Sequence, residues 1–276
     1  MSNIGSGLYQ CNKYSNTKTC MITTKKELGD TAIELLRKKV LDVYEKNGYI
    51  CKRCKTECPK RYSSLEIHGP LSFFNIGNSF AEDKYKILFV GKNTWYNQKD
   101  VNNTKIFGTS SFKDCREQGR QMFRDGTSRF WTIIKQITQQ LYPEDITDHD
   151  KLWNHIALTN LTKCNTSQDS YDTTPYYFTE QCIKFFEEEV KNIKPKHLVL
   201  FTSMSYDPYI EKLHFRYSNS PKNITEQANR NGNMCWWERK FSDINRDSMF
   251  FLRTRHPVRA PSQIVSEIVN WIRNTS

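Results

Sequence analysis

No apolar stretch of the chain is long enough to cross a bilayer; the best continuous run, Ile87 to Val90, is the size of a β-strand. The first ten residues, MSNIGSGLYQ, lack the apolar segment of a secretory signal. Together these absences lead to the expectation of a soluble, cytoplasmic protein with no membrane partner. Internal repeats and low-complexity tracts are also missing, which excludes solenoids and biased linkers. Acidic residues are in short supply: 30 Asp and Glu stand against 41 Lys and Arg, for a formal net charge of +11. A compact basic domain attracts polyanions, because each cation set against a phosphate releases a counterion. A generally basic, solvated surface is the plainer reading of the same numbers. The nine cysteines make an odd count. Without an export signal, a disulfide framework is disfavoured, leaving metal ligation or buried thiols.

What the chain does contain is core material. Hydrophobic residues make up 37% and aromatics 13% of 276 residues, which suits one sizeable α/β domain with an appendage. Residues 1–24 are polar and read as an arm. From Lys25 to Lys46, Leu28, Ala32, Leu35, Leu36, Val40 and Val43 recur at helical spacing and predict an amphipathic helix ended by Asn47-Gly48. The division expected is therefore an arm and helix over 1–50 and an α/β domain over 51–276. Four apolar runs punctuate the second part: Lys86–Val90, His155–Leu161, His197–Phe201 and Met249–Leu252. They are continuous rather than alternating, as strands buried on both faces read. Helical patterns over Ser128–Leu141, Phe178–Ile193 and Ser262–Arg273 lie among them. The alternation predicts an α/β fold, a three-layer α/β/α sandwich around a central, mostly parallel four-stranded sheet.

In such sheets ligands bind past the carboxyl ends of the strands, so the residues after each run carry the information. The first exit is Val90-Gly91-Lys92-Asn93-Thr94-Trp95, where glycine permits a tight turn and close backbone approach. The second is Thr159-Asn160-Leu161-Thr162-Lys163-Cys164, whose Asn160 offers an amide that both donates and accepts. The fourth is Arg253-Thr254-Arg255-His256-Pro257-Val258-Arg259, a rigid basic loop suited to phosphates. Ordinary turn and cap roles are the alternatives for Asn93 and Asn160, and a solvated basic loop for the fourth exit.

Taken in order, these motifs resemble the uracil-DNA glycosylase superfamily. Gly91-Lys92-Asn93 is similar to the Gly-x-Asn start of the first motif in the mismatch-specific and single-strand-selective branches. His256-Pro257 is similar to the last, His-Pro motif. The Thr159–Cys164 stretch resembles the Thr-Asn-Val-Val-Lys-Cys segment of the iron–sulfur branch, and Ser128-Arg129-Phe130-Trp131 resembles an Asn-Arg-Phe-Trp helix start. The resemblance spans about Cys51 to the C-terminus. It implies a DNA glycosylase that extrudes a pyrimidine and cleaves its N-glycosidic bond. By the same resemblance Asn93 orients the water and His256 donates to the base carbonyl. Asn160 reads the base edge beside Gly91, and Phe107, in Lys105-Ile106-Phe107-Gly108, stacks on the base. A core position is the alternative for Phe107. Lys92, Arg253, Arg255 and Arg259 are the implied DNA contacts, DNA the partner, and a monomer the expected state.

The cysteine spacing joins this picture. Cys51-x2-Cys54 precedes the first strand, and Cys164-x17-Cys182 brackets the turn and helix after the second. The resemblance implies a 4Fe–4S cluster on Cys51, Cys54, Cys164 and Cys182, with a structural zinc ion as the alternative. Cys58-Pro59 supplies a further thiol, so the N-terminal pair is either Cys51 and Cys54 or Cys54 and Cys58. Other positions depart from the family pattern. Lys92 stands where the iron–sulfur branch has Glu, Thr94 replaces the motif Pro, Trp95 replaces Gly or Tyr, and Val258 replaces Ser. The substrate implied is uracil or, given these differences, a modified cytosine, as in relatives that act in defence on phage DNA; the alternative is a nucleic-acid-binding module that has lost the chemistry.

Overall fold

A computed structural model describes residues 33–40, 75–92, 112–163, 176–213, 224–225, 235–242 and 248–276. The chain is α/β. Helix α1 covers 33–40 and is followed by β1 (Asn75–Ile76) and β2 (Ile87–Gly91). Helices α2 (Phe112–Asp125), α3 (Arg129–Leu141) and α4 (His149–His155) lead to β3 (Ala157–Asn160). Then come α5 (Tyr176–Ile193), β4 (His197–Leu200), the short α6 (Asp207–Ile210), β5 (Ile224–Thr225), β6 (Trp237–Ser242), β7 (Ser248–Arg253) and α7 (Ile264–Asn274). Among the described residues no helix is long and apolar enough to cross a membrane.

All four apolar runs form strands, but the sheet is wider than the four expected. Its order is β1-β3-β2-β4-β7-β6-β5. Neighbours β3, β2, β4 and β7 are parallel, while β1 joins one edge and the β6–β5 pair the other in antiparallel register. The added strands escape pattern reading for physical reasons. Two of them are two residues long, and β6 carries Glu238, Arg239 and Lys240 between its buried Trp237 and Phe241, as a strand towards an edge can.

Continuous apolar runs follow from burial on both faces. Leu88 and Val90 of β2 pack with Phe178, Cys182, Phe186 and Val190 of α5 and with Ile33 and Val40 of α1. Ile87 and Phe89 point the other way, into Ile133, Ile134 and Ile137 of α3, Leu152 of α4 and Ile268 of α7. Each such side chain contributes roughly 1.5–3 kcal/mol relative to exposure, so the sheet's two faces supply most of the driving force. Asp148 starts α4 by accepting the backbone N–H groups of Asp150 and Lys151.

Helix α1 corrects one expected core position. Leu35 is 54% exposed, and Arg37 is turned inward instead, donating to the Ile76 carbonyl at 2.9 Å and to Asn78 Oδ1 at 2.5 Å. Ile33 and Val40 share a core with Ile76 and Phe80 of the following segment. The boundary expected at residue 50 lies outside the described residues.

At the amino end of β4, His197 is fully buried. Its Nδ1–H donates to the Tyr85 carbonyl at 2.6 Å, Nε2 lies 3.1 Å from the Thr275 hydroxyl, and the ring stacks on Phe250 at 5.7 Å. Burial pushes its pKa down to about 4. This histidine ties strand to C-terminus, at the end of the sheet opposite the strand exits.

Candidate active site at the strand exits

Strand β2 lies between β3 and β4; the chain passes from β2 to β3 on one side and from β4 to β7 on the other, so the connections diverge at the β2–β4 boundary, as at the crevice of an open α/β sheet. Gly91, the last residue of β2, is in register with Asn160, the last of β3. A Cβ on Gly91 would lie 2.4 Å from Asn160 Oδ1 and 3.4 Å from Phe130 Cζ, so only glycine leaves room for the amide. The pairing continues past the strands: Leu161 N–H donates to the Gly91 carbonyl at 2.9 Å and Thr162 N–H to the Lys92 carbonyl at 2.7 Å. Asn160 is 5% exposed.

Beneath it sits a buried ionic network. Lys163 Nζ donates to the Asn160 carbonyl at 2.5 Å, to Thr159 Oγ1 at 2.8 Å and to Glu189 Oε2 of α5. Thr159 Oγ1 in turn donates to Glu189 Oε2 at 3.2 Å. Both charged side chains are at most 1% exposed.

The aromatic nearest Gly91 is Phe130, at the start of α3. It is half-buried and meets Phe201, just past β4, edge-on at 5.9 Å. Arg129 beside it donates to the Ala260 carbonyl, fastening α3 to the turn that follows β7.

That turn begins with His256. Its backbone N–H donates to Ser203 Oγ at 2.9 Å, and its Nδ1 accepts the Val258 N–H at 3.4 Å. With Nδ1 accepting, the neutral ring carries its proton on Nε2, the tautomer that can donate to a ligand. Ser203 adopts φ 64° and ψ 172°, a region that side chains other than glycine rarely occupy. It is held there by its own N–H, which donates to the Thr254 carbonyl at 3.1 Å. The third and fourth exits are thus stitched together at one strained residue.

Strand alternation sorts the exit residues onto two faces. Gly91, Asn160, Phe201 and Ser203 follow the parity of Phe89, Leu158 and Val199, on the α3–α7 side. Thr159 and Arg253 follow Leu88, Leu200 and Phe251, on the α5 side. Arg253, expected at the phosphates, is turned into the protein. It is 6% exposed, donates to Asp207 Oδ2 at 2.6 Å and to the Cys235 carbonyl, and lies over the Trp237 ring at 5.3 Å. Burial pushes the Asp207 carboxyl up to about 6 against the pull of this arginine. Arg255 is half-buried and donates to Cys235 Sγ at 3.4 Å, whereas Arg259 is exposed. Lys92 is half-buried, with Nζ 6.0 Å from the Tyr206 ring.

Of the nominated residues, Gly91, Asn160 and His256 are brought to one end of the sheet. Asn93 and Phe107 lie outside the described residues, as do Cys51, Cys54, Cys58 and Cys164. Cys182 is buried on α5, its Sγ accepting the Lys163 N–H at 3.4 Å, directly before Cys164 in the chain. Among the described residues no three His, Cys, Asp or Glu side chains converge as a metal site.

Ser203, the Lys163–Glu189 pair and the placement of Phe130 were not recovered from sequence. Nothing in Phe201-Thr202-Ser203 announces a left-handed residue, since no glycine marks it. Glu189 sits among Glu187, Glu188 and other polar residues that read as solvated. The one sequence signal for these is the Arg129-Phe130-Trp131 helix start. No protein-family profile matches the chain. No curated protein is significantly similar to it.

Proposed function

We propose that this protein is a DNA N-glycosylase of the uracil-DNA glycosylase kind, with the three-layer α/β/α arrangement of that superfamily. It takes a pyrimidine out of the stack and hydrolyses its N-glycosidic bond. The observation that carries this reading is the Gly91–Asn160 pair: a strand-end glycine whose missing Cβ makes space for a buried amide in the crevice. Asn160 supplies a donor and an acceptor for the Watson–Crick edge of a base. His256, with its proton on Nε2, supplies a donor to the oxygen on which negative charge develops as the base departs. Asn93, two residues beyond Gly91, positions the attacking water; an amide takes no proton at neutral pH, so it acts by orientation. Phe130 supports one wall, and Phe107 stacks on the base.

Exposed Arg259 and the net charge of +11 favour the phosphate backbone as the surrounding ligand. Cys51, Cys54, Cys164 and Cys182 would hold a 4Fe–4S cluster, or zinc, that ties the N-terminal segment to α5. The Lys163 N–H on Cys182 Sγ fits a thiolate, whose charge such a donor stabilises. The chemistry at the base runs through the side chains above, and the metal's contribution is structural.

The test is a strand-cleavage assay on oligonucleotides carrying uracil or modified cytosines, treated with alkali after incubation. Alkali-labile sites appearing at one base support the glycosylase. Salt-sensitive DNA binding without any abasic product replaces it with a binding module on the same fold.

A further inference from the structure

We infer that Lys163 and Glu189 are positioning residues for Asn160, an inference that rests on the glycosylase reading only for its consequence on excision. Taking two opposite charges out of water costs several kcal/mol per ion by general reckoning, and apolar residues of similar volume usually serve stability as well or better. A pair at most 1% exposed therefore calls for a role other than holding the core. Its geometry supplies one. The Lys163 ammonium has three protons and three acceptors: Thr159 Oγ1, the Asn160 carbonyl and Glu189 Oε2. Two of those acceptors belong to the last two residues of β3, and Thr159 closes the ring by donating to Glu189.

The acceptor on Asn160 is its main-chain oxygen, so the network fixes the peptide plane following Asn160 from the α5 side of the sheet. The amide of Asn160 emerges on the opposite side, over Gly91. Past this point β3 has no further residues to hold the chain in register: Leu161 and Thr162 continue the pairing only through their N–H groups to Gly91 and Lys92. A strand end is where pairing frays. The ammonium converts that fraying end into a fixed one, and a base-reading amide must be held within about 0.5 Å and 10–20° to discriminate. Glu189 neutralises the ammonium and orients it from a helix that packs on the same core.

The double variant Lys163→Met/Glu189→Leu removes both charges and keeps the volume. The thermal midpoint is expected to stay at or above the wild-type value. Amide hydrogen exchange of Leu161 and Thr162 is expected to accelerate at least about tenfold, a local opening that global stability does not produce. Excision of uracil is expected to lose at least about tenfold in kcat, with unchanged affinity for undamaged duplex. A stable double variant with wild-type exchange and wild-type excision overturns the inference and leaves the pair as core structure. Thr159→Val provides the second variant, removing only the bridging hydroxyl. It should raise exchange at the same two amides, and unchanged exchange there in a folded protein also overturns the inference. If the wild type excises no base, the glycosylase reading fails while the exchange data still decide whether the network positions the strand end.

Discussion

The Ser203 hydroxyl accepts the His256 backbone N–H at 2.9 Å from a residue whose own backbone sits at φ 64°. Third and fourth strand exits meet in this bond, and it fixes the start of the turn that carries the His256 ring. Strain in this region costs on the order of 1–3 kcal/mol, and the bond returns about 1 kcal/mol. Ser203→Ala keeps the strain and loses the bond, so it should destabilise by about 1 kcal/mol. Ser203→Gly loses the bond but relieves the strain, and should be at least as stable as Ser203→Ala. Urea unfolding of the two variants gives the order. An alanine variant more stable than the glycine variant would contradict the strained geometry.

Gly91→Ala should be the most informative single substitution at the crevice. The new methyl meets Asn160 Oδ1 at 2.4 Å before relaxation, so the amide must move. Overpacking of this kind costs typically about 1–3 kcal/mol of stability. Excision should fall further than stability predicts, and unmodified duplex should bind as before. Unimpaired excision in a folded Gly91→Ala protein would remove Asn160 from the base pocket.

Asn93→Ala should abolish most excision while DNA affinity is preserved, since a positioned water matters only in the transition state. His256→Ala should raise the barrier by about 2–4 kcal/mol, the usual range for one preorganised donor to a developing anion. Single-turnover kinetics separate both effects from binding. A His256→Ala enzyme with wild-type single-turnover rates would exclude this histidine from leaving-group stabilisation.

The two arginines bracketing the His256 turn should behave differently. Arg259→Ala should weaken binding to every duplex alike and lower the salt slope by about 1, as loss of one phosphate contact does. Arg253→Ala should leave the slope unchanged and destabilise the fold by about 1.5–3 kcal/mol, because it removes the charge-assisted bonds to Asp207 and the Cys235 carbonyl. Fluorescence anisotropy across a salt series, paired with urea unfolding, distinguishes them. A salt slope that falls for Arg253→Ala would return it to the DNA surface.

Stability should decline on mild acidification because of His197. Its folded pKa of about 4 lies below the ordinary histidine value of 6.5, so between those two values the unfolded chain binds the proton more readily. The stabilisation is complete above pH 6.5 and is lost as pH falls towards 4. Its full extent is about 3 kcal/mol. The wild-type advantage over His197→Gln, measured by urea unfolding, should therefore shrink by about that amount between roughly pH 7.5 and 4. A constant difference would mean that His197 is not held neutral by burial.

Much of this architecture is decided locally. A run such as Ile87–Val90 is apolar at every position and too short for a buried helix, so a strand covered on both faces is what hides all four side chains, and the central strands and the α/β class were legible directly. The helical faces of α3, α5 and α7 follow from residues three and four apart in the same way. The chain order of Gly91, Asn160 and His256 likewise placed each at a strand exit, because an exit is simply where an apolar run stops. The edge strands were not legible, since two-residue strands and the charged β6 owe their conformation to neighbours already in place. Nor was the fate of the arginines: Arg253 and Arg259 are six residues apart in one basic loop, and only the approach of Asp207 from α6 and Cys235 from before β6 buries one and leaves the other in water. The strain at Ser203 and the Lys163–Glu189 pair belong to the same class. A left-handed serine or a buried ammonium is unfavourable on its own, and each persists only because groups distant in the chain, Thr254 and His256 for the one and Glu189 for the other, are delivered to it by the completed fold.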